Sequence, residues 1–127
     1  HTIMPGMLTA EADNSLLGPL GVMGGFMQPQ GHLQVVVGLV DDRLDPQAAL
    51  DRPRFFLPDA SPKSRVLVEE GIPEEVLRGL EEKGHQVSRV AGFDRTVFGR
   101  GQVILREADG TLIGGSDPRA DGCAAGW

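Results

Sequence analysis

The sequence predicts an α+β fold in one domain spanning residues 1–127, and three observations support this prediction. The composition, 40% apolar and 24% charged, is typical of an ordinary globular domain. Apolar residues recur at helical spacing in some segments and form short runs or alternate in others. No internal repeat or low-complexity linker interrupts this order. A layered domain of mixed strands and helices with a modest core follows.

The first predicted element is a strand that leads into a pair of glycines. The apolar run Leu16–Phe26 is expected to form a short buried strand ending in a turn at Gly24 and Gly25. A glycine pair allows backbone N–H groups to approach a ligand closely, which suits an oxyanion or a carboxylate. The same pair also suits a purely structural turn, and the residues alone leave both interpretations open.

Two helices are predicted after the glycine pair. Valines favour a strand in Gln30–Asp42, but the apolar residues there also line one helical face, and we predict a helix. Asp45 before Pro46 is typical of an N-cap followed by the first helical position. A short second helix over Gln47–Leu50 follows, which Pro53 stops.

The second half of the chain is predicted to contain a strand, a helix, a strand and a hairpin. Arg65–Glu69 alternates as a strand, and Pro73–Lys83 has one apolar face, formed by Val76, Leu77 and Leu80, before a terminating glycine. The chain is expected to return as a strand over His85–Val90. An Asp-Gly pair between Gly101–Glu107 and Thr111–Gly114 is a strong hairpin signal.

Charge and cysteine content exclude several classes of function. The net charge of −6 is spread along the chain, so we expect no nucleic-acid partner. No apolar run is long enough to cross a bilayer. The single cysteine, Cys123, cannot form an internal disulfide and is expected to be a small buried side chain. The three histidines lack metal-ligand spacing, so we expect no metal and no cofactor.

Two polar segments near the C-terminus have structural explanations. Phe98–Gln102 is rich in glycine but lacks the Lys-Ser/Thr ending of a phosphate loop, so a tight turn into the hairpin is predicted. Ser116–Gly122 is expected to form a turn or an internal ion-pair knot between aspartate and arginine. No serine lies in a setting typical of a serine nucleophile.

Several strings, in order along the whole chain, resemble the C-terminal part of the small subunit of γ-glutamyltransferases. PQAALDRPRF and GGSDPRADG are the most specific of them. The resemblance implies part of the α/β/β/α sandwich of N-terminal-nucleophile hydrolases, in which a threonine attacks a γ-glutamyl amide and its own amine acts as the base. The full set of matching strings is HTIMPGMLT, GVMGGFMQPQGH, LDPQAALDRPRF, VEEGIPEEVLRGLEEKGHQV, FGRGQVI and GGSDPRADGCAAGW.

The resemblance also implies roles for four residues. Gly24 and Gly25 match the backbone oxyanion hole, and His1 and Thr2 occupy the positions of a serine pair that contacts the substrate's α-carboxylate. Thr2 keeps a hydroxyl but His1 does not, which opens the substrate class to other acylated amines, such as glutaryl or aminoacyl compounds. The nucleophilic threonine is expected upstream of His1.

The expected partners are therefore the rest of the same protein and a small γ-glutamyl or acyl-amide substrate. Alone, the chain is expected to be inactive, and to associate with itself through a sheet face that the missing part would cover. The alternative is a non-catalytic binding or assembly domain of the same fold. The sequence leaves the compartment open, with the cytoplasm favoured over the periplasm.

Overall fold

The structure is a computed structural model that describes residues 3–59, 61 and 64–126, so His1 and Thr2 lie outside the described residues. The described part contains two sheets, three α-helices and one 3₁₀ helix. The strands are β1 (Gly6–Thr9), β2 (Leu16–Met23), β3 (Phe55–Phe56), β4 (Arg65–Glu69), β5 (Gln86–Val90), β6 (Arg100–Arg106) and β7 (Leu112–Ser116). The α-helices are α1 (Met27–Val40), α2 (Pro46–Asp51) and α3 (Glu74–Glu82), and the 3₁₀ helix spans Gly92–Phe98.

The two sheets differ in how their strands pair. The larger sheet has the order β1-β2-β6-β7, and all of its neighbours are antiparallel. The smaller sheet has the order β3-β4-β5, in which β4 and β5 are parallel and α3 forms the crossover between them. Strands far apart in sequence thus become neighbours, and the C-terminal hairpin lies against the strand that leads to the glycine pair.

All seven predicted elements are confirmed, and the structure adds three that the sequence did not predict. β1 has four residues and β3 has two, too short for a clear alternation of apolar and polar side chains. The 3₁₀ helix Gly92–Phe98 has one buried residue, Phe98, and therefore no apolar face to detect.

Helix α1 begins at Met27, three residues before the predicted start at Gln30. Pro29 obscured this start, although proline is tolerated in the first turn because its missing N–H would have no partner within the helix. The helix therefore follows directly from Gly24 and Gly25. This is the feature that links the candidate site to the body of the fold.

The predicted caps and turns are present. The Asp45 side chain accepts hydrogen bonds at 2.9 Å from the N–H groups of Gln47 and Ala48, which fixes the start of α2. In the hairpin turn, Asp109 accepts a hydrogen bond from the Thr111 N–H at 2.9 Å, and hydrogen bonding to Thr111 holds the pKa of Asp109 below its usual range.

The main core lies between one face of the larger sheet and the helices α1 and α2. Leu20, Val22 and Val103 from the sheet pack with Val35, Leu39, Ala49 and Leu50 from the helices. A second, smaller core joins Val66, Val68 and Leu77. Of the predicted α3 face, Leu77 is buried and Leu80 half-buried, but Val76 is 46% exposed, because it lies at the edge of the apolar stripe.

The opposite face of the larger sheet carries several exposed apolar side chains. Residues directly opposite each other on antiparallel strands share a face, so the pairings place Met7 with Pro19, Met23 with Arg100 and Ile104 with Gly114. Met7, Met23, Ile104 and Leu112 are each at least 44% exposed. We call this the outer face.

The prediction that Cys123 is buried is wrong. The thiol is exposed, on a C-terminal segment that runs along the outer face. Nothing in the described part of the chain covers that segment, so a small side chain there remains accessible to solvent.

Candidate functional site

The glycine pair forms a sharp turn between β2 and α1, and its backbone requires glycine. Gly24 has φ +146° and Gly25 has φ +60°, both in the left-handed half of conformational space. A Cβ on Gly24 would lie 2.9 Å from the Cα of Gly99, and one on Gly25 would contact nothing within 4 Å. Gly24 is therefore fixed by close packing as well as by conformation, and Gly25 by conformation alone.

The orientation of the peptide groups directs the N–H of Gly25 away from α1 and that of Gly24 away from Gly99. The Gly24 carbonyl accepts a hydrogen bond from Met27 N at 3.1 Å, so the Gly25 N–H, on the other side of the same planar peptide, points away from α1. The Met23 carbonyl points toward Gly99, where a Cβ would lie 2.4 Å from its oxygen. The Gly24 N–H therefore points away from Gly99.

These two N–H groups have no hydrogen-bond partner in the described part of the chain. Within residues 3–59, 61 and 64–126, no group accepts a hydrogen bond from the N–H of Gly24 or Gly25. Gly25 is exposed and Gly24 half-buried, so both residues are accessible from solvent. The positive end of the α1 macrodipole lies next to them and adds to the attraction for negative charge.

Four buried charged residues form a cluster behind the glycine turn. Each is at most 7% exposed: Arg54, Glu69, Asp117 and Arg119. The formal charges of the two arginines and the two acidic residues sum to zero. Arg54 pairs with Asp117 at 2.8 Å, and Arg119 pairs with Asp117 at 3.0 Å and with Glu69. We call these residues the buried ion cluster. It joins the smaller sheet, which carries Glu69, to the residues after β7.

The buried ion cluster binds the backbone around Gly99, against which Gly24 packs. The Arg54 guanidinium donates to the carbonyl of Phe98 at 3.1 Å and to that of Gly99 at 3.4 Å. The Asp117 carboxylate accepts a hydrogen bond from the Gly101 N–H at 2.7 Å. The start of β6 is thus held from both sides, and through Gly99 it supports the glycine turn.

The two arginines of the cluster respond differently to burial. Desolvation lowers the pKa of Arg54, and Asp117 only partly opposes this effect. Desolvation also acts to lower the pKa of Arg119, but its hydrogen bond to Glu69 and the charge of Asp117 outweigh it, so that pKa is raised. Both guanidinium groups remain charged at neutral pH.

The structure places some of the predicted site residues together. Gly24 and Gly25 lie together at the turn as predicted, whereas His1 and Thr2 fall outside the described residues. Asp117 and Arg119 form the predicted ion-pair knot. Arg54 and Glu69 were not predicted to join it, and the only sequence signal was that Arg54 lies inside the specific string PQAALDRPRF.

Neither a metal-binding group nor a membrane-spanning helix occurs in the described part of the chain. No three or more His, Cys, Asp or Glu side chains there are grouped so that they could hold a metal ion. Among the described helices, none combines the length and apolar character that crossing a bilayer requires.

The chain matches one known protein family over its whole length. The sequence model of the Gamma-glutamyltranspeptidase family matches residues 1–127. The chain belongs to this family. Its relatives include the glutathione hydrolase-like YwrD proenzyme of Bacillus subtilis, which is 30% identical over 99% of this chain. The chain spans 24% of the length of that relative.

Solved structures of similar proteins share the fold. The cephalosporin acylase of Bacillus halodurans matches 100% of this chain with a TM-score of 0.88 and 45% identity, and the match covers 23% of the acylase chain. The T380A mutant of Helicobacter pylori γ-glutamyltranspeptidase matches 94% of this chain with a TM-score of 0.78 and 24% identity. The match covers 61% of that chain, and at this identity it supports the fold alone. The fold is part of the N-terminal-nucleophile hydrolase architecture, as the resemblance implied.

Proposed function

We propose that the intact protein containing this chain is an N-terminal-nucleophile amidohydrolase or acyltransferase, and that Gly24 and Gly25 are its oxyanion donors. The observation that carries the proposal is the pair of N–H groups that point away from α1 and from Gly99 and have no partner among the described residues. Attack on an amide carbonyl places negative charge on the carbonyl oxygen, and two fixed donors at that position stabilise the transition state. A fixed turn also avoids reorganisation during the reaction.

The reaction needs a nucleophile from elsewhere in the protein. We propose an upstream threonine, whose hydroxyl attacks the amide carbon while its own α-amine takes the proton. The leaving amine departs with a proton, and water or a second amine then releases the acyl group. The turn supplies only the electrostatic part of this chemistry, so the chain by itself is expected to be inactive.

The substrate is proposed to be a γ-glutamyl amide or another acyl amide. His1 and Thr2 stand where the family has a serine pair that contacts the α-carboxylate, so we propose that they contact the acyl part of the substrate. An imidazole at position 1 donates hydrogen bonds from ring N–H groups, whereas a serine donates from its hydroxyl. This difference supports an acyl group other than γ-glutamyl, such as glutaryl, as a second substrate class.

We propose that residues 1–127 form one domain and that the rest of the protein packs on the outer face. The buried ion cluster joins the two sheets, which supports a single unit. The outer face exposes Met7, Met23 and Ile104, and the chain spans only 24% of the length of YwrD. A sheet in the missing portion would remove this apolar surface from water.

The direct test compares the intact protein with the isolated chain on γ-glutamyl-p-nitroanilide and glutaryl-p-nitroanilide. We expect turnover of at least one of them by the intact protein and none by the chain alone. A control with the upstream threonine replaced by alanine should also be inactive. If the intact protein turns over neither amide while binding either one, the non-catalytic alternative is favoured instead.

The isolated chain should associate with itself through the outer face. Sedimentation at increasing concentration is expected to give dimers or larger species, because the exposed apolar side chains gain from burial. Replacing Ile104 and Leu112 with lysine should shift the chain toward monomer. A clean monomer of the unchanged chain at high concentration would contradict this prediction.

A further inference from the structure

The N-terminal segment is held against α1 by two side chains one helical turn apart. The Gln28 side-chain oxygen accepts a hydrogen bond from the Met4 N–H at 3.2 Å. The Nε2 atom of His32 lies 2.6 Å from the Met4 carbonyl oxygen. Both backbone polar groups of Met4 therefore bond to the same face of the helix, as they would bond to a neighbouring strand. We call Gln28 and His32 the Met4 clamp.

The His32 ring is oriented so that each of its nitrogens lies close to a backbone carbonyl oxygen. Its Nδ1 atom lies 2.7 Å from the carbonyl oxygen of Gln28, so both ring nitrogens face oxygens that can only accept. A ring with hydrogen on Nε2 donates to Met4, and a doubly protonated ring donates to both carbonyls. In either state the Nε2–H of this helical residue holds the N-terminal segment through the Met4 carbonyl.

Helix α1 connects this clamp to the glycine turn. The helix begins at Met27, directly after Gly25, and Gln28 lies in its first turn. Met4 follows closely on His1 and Thr2 in the sequence. A rigid helix with the oxyanion donors at its start and the Met4 clamp along its side fixes the distance between the two.

We propose that His32, with Gln28, is a positioning residue that sets where the substrate-contacting segment lies relative to the oxyanion turn. The inference rests on the proposed function, because it takes His1 and Thr2 as substrate contacts. His32 itself does not touch the reacting atoms. Loss of the clamp would move the acyl-binding end of the site while leaving the oxyanion donors in place.

The same helix carries a matched control on its other side. The Gln34 side chain bonds to the N–H and carbonyl of Phe55 at 2.9 Å and 3.0 Å, and Gln30 bonds to Leu57 in the same manner. These pairs hold β3 and the residue after it rather than the N-terminal segment. Gln34→Leu removes a comparable clamp from α1 without touching the substrate-contacting segment.

The test uses the intact protein with His32→Leu, His32→Gln and Gln34→Leu, assayed on both γ-glutamyl-p-nitroanilide and glutaryl-p-nitroanilide, with kinetic constants taken on the better substrate. His32→Leu is expected to raise KM about tenfold with kcat within about twofold, since substrate binding is lost and the oxyanion donors are kept. His32→Gln should restore most of the affinity, because the glutamine amide can donate from nearly the position of Nε2. Gln34→Leu should leave KM unchanged although it lowers the melting temperature.

Hydrogen exchange supplies a readout that does not depend on turnover. The segment around Met4 is expected to exchange faster in His32→Leu than in the unchanged protein, and not faster in Gln34→Leu. Absence of turnover in the unchanged protein would overturn the proposed function. Turnover with an unchanged KM in His32→Leu, or the same KM rise in Gln34→Leu, would overturn the positioning role alone.

Discussion

Gly25→Val in the intact protein should lower kcat about a hundredfold, the scale of losing one oxyanion donor. Gly25 has φ +60°, a conformation that a β-branched residue strongly disfavours. A Cβ there meets no atom within 4 Å, so the substitution acts through the backbone rather than through a clash. The peptide is expected to rotate and turn the Gly25 N–H away from the reacting oxygen. Steady-state kinetics on the better p-nitroanilide substrate measures the effect.

Gly25→Asn is the matched control for this prediction. Asparagine tolerates the left-handed conformation, so the N–H should keep its direction and kcat should stay within about threefold. Gly24 offers no such control, because any Cβ there would lie 2.9 Å from Gly99. Equal losses in Gly25→Val and Gly25→Asn would point to crowding at the turn instead of a lost donor.

Asp117→Ala is expected to lower the free energy of unfolding by about 3–5 kcal/mol. The substitution leaves two buried arginine side chains, Arg54 and Arg119, with only Glu69 to balance them. It also removes the acceptor of the Gly101 N–H. A loss of this size is a large part of the stability of an ordinary domain. Urea unfolding of the unchanged and substituted proteins, at the same low protein concentration, measures the difference.

Arg52→Ala separates the buried ion cluster from ordinary surface charge. Arg52 pairs with Asp42, and the two side chains are 51% and 42% exposed. Removing this pair should change stability by less than about 1 kcal/mol, since water already solvates both groups. If Asp117→Ala costs no more than Arg52→Ala, the cluster does not hold the two sheets together as described.

Local signals in the sequence were sufficient for most of the fold. Asp45 and Pro46 marked the start of α2, and the Asp-Gly pair marked the hairpin, because each acts through neighbouring atoms. The start of α1 was missed because Pro29 is a breaker within a helix yet harmless in its first turn. The predicted start of α1 was wrong because proline has opposite effects in the first turn of a helix and further along it.

The candidate site was only partly predictable for a different reason. The glycine pair was visible in the sequence. The close packing of Gly24 against Gly99, however, depends on strand pairing across the larger sheet. Arg119 meets Glu69 across 50 residues of sequence, and no periodicity records such a contact. The exposure of Cys123 likewise depends on what lies over the outer face, which is not a property of its sequence neighbours.

The most direct test of the central claim is a crystal structure of the intact protein bound to a phosphonate analogue of its acyl-amide substrate. The charged phosphonate oxygen imitates the oxyanion of the transition state. We predict that this oxygen lies within about 3 Å of the backbone nitrogens of both Gly24 and Gly25. A phosphonate oxygen bound by other donors, with the glycine turn left in contact with solvent, would contradict the account.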